Sequence, residues 1–437
     1  MHADIHPSQY YRLPWSLNDN VLSWLEPTKR CNLYCEGCYS RNDPNSDKSL
    51  EQVRADVDAL VRQRKIDSMS IAGGEPLVHP RIVDIVRMVS EDFGIKPIIN
   101  TNALALTPEL LRQLKDAGLY GFTFHIDSTQ GRPKWKGRNE LELNELRLHY
   151  AKMVAEVGDM SVAFNCTITR DTLSYVPDMA EWAREHIDIV HSMVFILFRT
   201  SNTREFDYFK NGQPVPLDDL VYYDQDKNPA PIEAPEVVAE IRKRDAAFTP
   251  CAYLGGTKDP NSFKWLLTAR IGSRERIYGY VGPRYMELVQ TGHHMLFKRY
   301  LGYTRPSMLR HGRTMLAGFA AFDKGARTTA RTYVGDLLRK PWRRAPKLHF
   351  QSILIIQPVD MLPDGRMNMC DGCPDMTVDD GELVWSCRLD ERTLHGCFLT
   401  AAPKCARPEV EVKSEVKAKA KPKAAKTKKR TGQPAEA

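Results

Sequence analysis

Arg30-Cys31-Asn32-Leu33-Tyr34-Cys35-Glu36-Gly37-Cys38-Tyr39 places three cysteines within eight residues at CxxxCxxC spacing. Three thiolates so spaced can wrap one face of an iron–sulfur cube, supplying three ligands where a closed [4Fe–4S] site takes four. The fourth iron is then open to a ligand that is not protein. An open position is what separates a reactive metal site from a structural one. A zinc knuckle is the alternative, but zinc motifs pair CxxC with a second Cys or His pair, and none follows nearby.

Outward from this cluster the chain alternates strand and helix patterns. Val21–Glu26 reads as a first strand. Ser49 and Gln52 have the form of a capping box ahead of Val53, Val57, Leu60 and Val61, one helical face. Strands follow at Asp67–Ala72, Lys96–Asn100, Gly121–Ile126, Met160–Ile168 and Val190–Arg199. Helices are expected at Arg81–Asp92, after the Thr107-Pro108 cap, at Asn139–Val157 and at Pro177–His186. Strands separated by helices of this length imply a parallel sheet with right-handed crossovers, hence an α/β core that is an open sheet or partial barrel. Ligands of such sheets bind at the carboxyl ends of strands. That rule gathers the cysteines, Gly73-Gly74-Glu75-Pro76, Asn100-Thr101-Asn102, His125-Ile126-Asp127 and Asn165 on one face.

Residues 24–200 resemble the radical S-adenosylmethionine (SAM) enzyme superfamily, on Cys31, Cys35 and Cys38, the Gly73–Pro76 run and Asn100-Thr101-Asn102. The resemblance implies a partial (β/α)6 barrel and a [4Fe–4S] cluster whose open iron chelates the SAM amino and carboxylate groups. It implies SAM contacts from Gly73, Gly74 and Glu75, and from Asn100 and Asn102. The position before the third cysteine is often aromatic or His in the family; here it is Gly37, so adenine contacts should come from backbone there or from Tyr39. One electron entering SAM from the cluster releases a 5′-deoxyadenosyl radical, which takes a hydrogen atom from an unactivated C–H bond. An electron donor such as ferredoxin or flavodoxin is the implied partner.

The chain has 437 residues, 42% hydrophobic and 27% charged, with ten cysteines and a net charge of +7. No apolar run reaches the ~20 residues a membrane span needs, and the N-terminus lacks a signal-peptide pattern, so a cytoplasmic location is expected. In a reducing compartment the remaining cysteines read as metal ligands rather than disulfides, except Cys166, which reads as a small core residue. Cys370 and Cys373 form a CxxC, followed by Cys387, Cys397 and Cys405. An auxiliary iron–sulfur cluster is expected on Cys370, Cys373 and Cys387, with Cys251 or Cys397 as fourth ligand; structural zinc or iron is the other reading.

The expected organisation is an N-terminal extension (1–23), the core (24–200), a connecting segment (201–260), a basic helical segment (261–347), a cysteine-containing auxiliary metal domain (348–405) and a disordered Lys/Ala-rich tail (406–437). Basic charge is segmental: residues 264–344 carry +13, residues 407–437 carry +6, and the remainder is about −12. The stretches Lys298–Arg305 and Arg339–Arg344 mix cations with aromatics. They read as a peripheral contact at the inner membrane face, as a nucleic-acid surface, or as a solvated helix face with core aromatics. The substrate reading is a small molecule, a lipid or another hydrophobic compound. A peptide or protein substrate is the rival within enzymes. A non-enzymatic, nucleic-acid-associated metal protein is the rival of another class, although no specific nucleic acid is expected.

Overall fold

The computed structural model describes residues 4–199, 201–220, 231–309, 312–342 and 344–404. Cys405 and the Lys/Ala-rich tail lie outside the described residues. The strands expected of the core appear as β2 (Leu22–Thr28), β3 (Ser68–Gly73), β4 (Lys96–Thr101), β5 (Gly121–His125), β6 (Ser161–Ile168) and β7 (Ser192–Leu197), preceded by a short β1 (Tyr11–Arg12). Each of β2 to β7 pairs in parallel with the next. The helices between them are α1 (Leu50–Gln63), α2 (Ile82–Arg87), α3 (Pro108–Asp116), α4 (Asn144–Val157) and α5 (Val176–Glu185). Ser49 and Gln52 close the capping box of α1, and Thr107 accepts from Leu110 N at the start of α3. Two helices are shorter than their patterns suggest. Asn139 bonds Leu141 N and Glu142 N, holding a turn ahead of α4, and a π-turn at Met88–Asp92 continues α2.

The sheet does not stop at residue 200. After β8 (Phe206–Lys210), β9 (Gln213–Pro214) and α6 (Ala234–Arg242), the chain adds β10 (Ala252–Leu254), β11 (Trp265–Gly272) and β12 (Ile277–Tyr280). Then come α7 (Pro283–Phe297), α8 (Pro306–Leu309), α9 (Gly312–Phe319), α10 (Lys324–Arg339) and β13 (His349–Ile356). β13 runs parallel to β7, and β11 antiparallel to β13, giving the order β1-β10-β11-β13-β7-β6-β5-β4-β3-β2. The boundaries expected at 200, 260 and 347 are thus corrected: strands from all three segments share one sheet. The expectation of a wholly helical 261–347 missed β11 and β12, because Trp265-Leu266-Leu267-Thr268-Ala269 is buried on both faces and lacks alternation. Beyond β13 the chain forms the hairpins β14 (Asp360–Met361) with β15 (Met367–Asn368) and β16 (Met376–Asp379) with β17 (Glu382–Trp385). Helix α11 (Leu389–His395) and β18 (Thr400–Pro403) follow, the latter pairing with β8.

Strand alternation sets two faces. Met69, Ile71, Ile99, Phe122, Phe124, Val162, Phe164, Met193 and Phe195 bury against the helices. The opposite residues, among them Ser70, Asn100, Thr123, His125, Asn165 and Thr167, line a concave lumen. Its N-terminal end is closed by the basic aromatic stretch. Tyr303 Oη lies 3.5 Å from Thr123 Oγ1, Gly302 N donates to Asp67 Oδ2 at 2.9 Å, and Tyr300 stacks on His294. Those tyrosines are packing groups, not a surface aromatic belt.

Arg64, just past α1, ties the cysteine-rich C-terminal part to the barrel. Its buried guanidinium donates to Leu17 O, Ser23 Oγ, Pro374 O and Cys373 O, while burial pulls its pKa down to about 10. Gly372, at φ +63°, faces Trp15 O so closely that a Cβ would sit 2.2 Å away. Arg64→Met should keep the packing yet strand these acceptors and lower unfolding stability by about 3 kcal/mol. Urea denaturation measures it, and an unchanged midpoint would show that the clamp contributes nothing.

Candidate metal centre

The cysteine loop leaves the end of β2 and is pinned on both sides by backbone. On one side Gly74 N donates to Thr28 O at 2.9 Å and Glu75 N to Arg30 O at 2.8 Å. On the other, Glu36 N donates to Thr129 O at 3.1 Å and Gly131 N to Tyr34 O at 3.0 Å. Arg30 forks onto Asp47, and Asn42 exchanges hydrogen bonds with Cys31 backbone. Within this frame Cys31, Cys35 and Cys38 are half-buried free thiols that face one another. Burial first, then mutual repulsion, pushes the Cys35 thiol well above its ordinary range, and Cys31 and Cys38 are raised mainly by burial. Among the described residues no three His, Cys, Asp or Glu side chains converge on a single metal ion. A cube differs in offering each thiolate its own iron, and three thiols are the donor set it requires.

The structure places Gly73, Gly74 and Glu75 beside the cysteines, for a reason other than the expected one. A Cβ at Gly73 (φ +102°) would lie 2.3 Å from Thr28 O, and one at Gly74 2.4 Å from Arg30 O. The glycines therefore admit the cysteine loop's own backbone. The expected salt link from the Glu75 carboxylate to a ligand ammonium is corrected. Glu75 is 1% exposed and turned inward, accepting from Leu77 N at 3.0 Å, Thr101 Oγ1 at 2.6 Å and Asn102 N at 2.7 Å. Burial raises its pKa to about 7 against those hydrogen bonds. Asn102 is likewise committed to the loop, with Nδ2 2.8 Å from Asn32 Oδ1 and 3.8 Å from Cys31 Sγ.

Asn100 differs. Its Nδ2 is buried without a hydrogen-bond partner, and so is Asn165 Oδ1 two strands away. Each orphan costs about 1–3 kcal/mol, so both fit a polar ligand in the lumen. Between them stands His125, paired with Asn165 in the ladder, its Nε2 2.7 Å from Asp127 Oδ2 and 3.1 Å from Thr167 Oγ1. Tyr39 lies under the cluster, its hydroxyl 3.5 Å from Gly73 O and its ring edge-on to Trp24. Gly37, at φ +69°, abuts Phe198: a Cβ there would lie 2.3 Å from Phe198 Cε2. The aromatic group beside the third cysteine thus comes from the end of β7, which no local signal reveals. Arg132 was also missed. Buried, it donates to Asn102 O at 2.6 Å and His125 O at 2.8 Å, locking two strand ends together.

A cleft of about 1020 Å³, mouth included, opens past Phe198 at the carboxyl ends of β6, β7 and β13. Leu197, Tyr208, Ile232, Val359, Met361 and Met367 line it. Ser201, 4% exposed, offers a buried hydroxyl without a partner. The two arginines of the cleft are bound elsewhere, Arg170 to Glu236 and Arg199 to Cys387 O.

Of the C-terminal cysteines, Cys370, Cys373 and Cys387 sense one another's charge. The Cys373 thiol is raised by Cys370 and burial, and Cys387 by burial to about 11. The expectation for Cys251 is corrected. It directly precedes β10 at 0% exposure with Sγ 3.4 Å from Leu267 O, and its charged neighbour is Asp323 rather than another thiol. Cys397 sits after α11, next to Phe398, whose ring packs on Trp385.

Residues 25–205 match the family model described as the radical SAM superfamily. The chain is 26% identical over 190 residues to the AdoMet-dependent heme synthase of Methanosarcina barkeri, covering 43% of this chain and 53% of that protein. It is 35% identical over 107 residues to the tungsten-containing aldehyde ferredoxin oxidoreductase cofactor-modifying protein of Pyrococcus furiosus (24% and 30% covered). It is 38% identical over 106 residues to the GTP 3′,8-cyclase of Alkaliphilus oremlandii (23% and 33% covered). The chain thus spans about half or less of these relatives. Streptococcus suis SuiB bound to S-adenosylmethionine superposes with a TM-score of 0.33 at 16% identity, covering 44% of this chain and 43% of that one.

Burial alone would raise the Asp127 pKa, but His125 and hydrogen bonds from His125, Thr129 and Thr167 hold it well below the ordinary range. The ionised form therefore stabilises the fold above the unfolded pKa of ~3.9, and that contribution fades as pH falls toward the lower folded value. Asp127→Asn should cost about 2–3 kcal/mol at pH 7. The gap to wild type should narrow in denaturation series carried toward about pH 3; a pH-independent gap would contradict the assignment.

Proposed function

We propose that residues 25–205, which match the radical SAM family model, form a radical SAM domain and that the protein is a radical SAM enzyme acting on an apolar substrate. Bound to Cys31, Cys35 and Cys38, a reduced [4Fe–4S] cluster and SAM supply the radical that takes hydrogen from an unactivated C–H bond. The observation that carries this reading is the joining of three free thiols, two orphaned lumen amides and an apolar cleft at one end of the parallel strands.

Each residue has a task in that reading. The backbone frame of Thr28–Arg30 and Thr129–Gly131 holds the thiols in register. Glu75 and Arg132 brace the strand ends instead of touching ligand. Asn100 and Asn165 hydrogen-bond the polar part of SAM, and Phe198 and Tyr39 give it apolar surface. His125, oriented by Asp127, faces the lumen as a substrate contact. The cleft past Phe198 takes the substrate body. Its exposed lining is mostly apolar, which favours a hydrophobic molecule over a peptide. Cys370, Cys373 and Cys387, with Cys397 as fourth ligand, hold an auxiliary iron–sulfur cluster that relays electrons or anchors substrate. Arg199 links Cys387 O to β7, and Asp390 of α11 lies within electrostatic reach of Cys38. A ferredoxin or flavodoxin supplies the electron, and the basic segment makes peripheral contact with a membrane.

Anaerobically reconstituted protein, given dithionite and SAM, should form 5′-deoxyadenosine. Cys35→Ala should abolish it and remove the first cluster's iron, while Cys373→Ala should keep the activity-bearing cluster and lose the second. Absence of 5′-deoxyadenosine from fully reconstituted protein would refute the reading.

A further inference from the structure

Within segment 293–347, residues 293–308 and the C-terminal half of α10 lie at the N-terminal end of the parallel strands, away from the cysteines, while the start of α10 caps the far end of β12 through Asp323. Arg299 donates to Gly94 O ahead of β4, Gly302 N to Asp67 ahead of β3, and Ser307 N to Asp159 ahead of β6. Tyr333 of α10 donates to Pro346 O, ahead of β13. While its tyrosines pack inward, the segment turns large apolar side chains outward: Met295 66%, Leu296 78%, Phe297 63%, Met308 58%, Leu338 75% and Trp342 82% exposed. Lys298, Arg331, Arg339, Lys340, Arg344 and Lys347 stand exposed among them.

We propose that this end of the barrel is a docking face for an anionic bilayer surface. Residues 264–344 carry +13, so the face repels a second copy of itself, which is therefore not its cover. A nucleic acid would meet the cations but leave six apolar side chains in water. Long apolar side chains projecting singly between cations are what an interfacial element inserts below the headgroups. Among the described residues no helix is long and apolar enough to cross a membrane, so the contact is peripheral. Docked this way, the cysteine end faces away from the bilayer, open to a protein reductant.

The test is cosedimentation of the full-length protein with vesicles of phosphatidylglycerol and phosphatidylcholine. The variants are Leu296→Ser/Phe297→Ser and Leu338→Ser/Trp342→Ser, which leave charge unchanged and sit on exposed positions. Leu141→Ser, in the exposed turn ahead of α4, is the control. Wild type and control should bind the mixed vesicles and lose most binding at about 0.5 M salt. Each double variant should bind roughly tenfold more weakly, with iron content and circular dichroism unchanged. Wild-type affinity in both double variants would overturn the proposal by assigning attraction to the tail. So would no vesicle binding by wild type, or a wild-type dimer in sedimentation velocity that the serine variants dissolve.

Discussion

The site depends on one backbone constraint: the loop bearing Cys31, Cys35 and Cys38 is clamped between two strand-end turns by amide–carbonyl pairs. Thr28 O, Arg30 O and Tyr34 O accept from neighbouring turns, and Thr129 O accepts from Glu36 N of the loop itself; side chains such as Asn42 and Asn102 add to this backbone frame. Such bonds contribute only about 1 kcal/mol apiece, but they are short-range and directional. The two glycines at 73 and 74 follow from this, since any side chain there would strike that backbone.

Polar groups around the loop divide by whether they are satisfied. Glu75, Asn102 and Asp127 are buried and hydrogen-bonded within the frame; Arg132 joins two strand ends through Asn102 O and His125 O but keeps one buried guanidinium nitrogen without a partner. Asn100 Nδ2, Asn165 Oδ1 and Ser201 Oγ are buried without partners. Native interiors rarely leave such groups orphaned, and these three trace a path from the lumen under the cysteines to the apolar cleft.

Much of the core was legible in the sequence because its signals are local. Cap residues Ser49 and Thr107, the apolar strand runs and the cysteine spacing all act within a few residues of themselves. The remainder is set by long-range contacts. β11 and β13 join the sheet from residues 265–356, and a strand buried on both faces carries no period. Phe198 and Arg132 reach the site only through tertiary packing. The role of Glu75 was misjudged because its type suggested an ammonium partner, whereas its place just past the end of β3 turns it into the β4 terminus. For Tyr300 and Tyr303 the reading as core aromatics, one of three left open by the sequence, matches their packing at the N-terminal end of the lumen. Cys251 shares a buried cluster with Cys370 and Cys373, but its place ahead of β10 sets its thiol against Leu267 O.

The central claim is that the cluster held by Cys31, Cys35 and Cys38 keeps one iron free for SAM. Electron paramagnetic resonance of the anaerobically reduced Cys373→Ala protein, recorded with and without SAM, tests it most directly. The account predicts a [4Fe–4S]+ signal whose g-values shift on SAM addition. A spectrum that SAM leaves unchanged would contradict it.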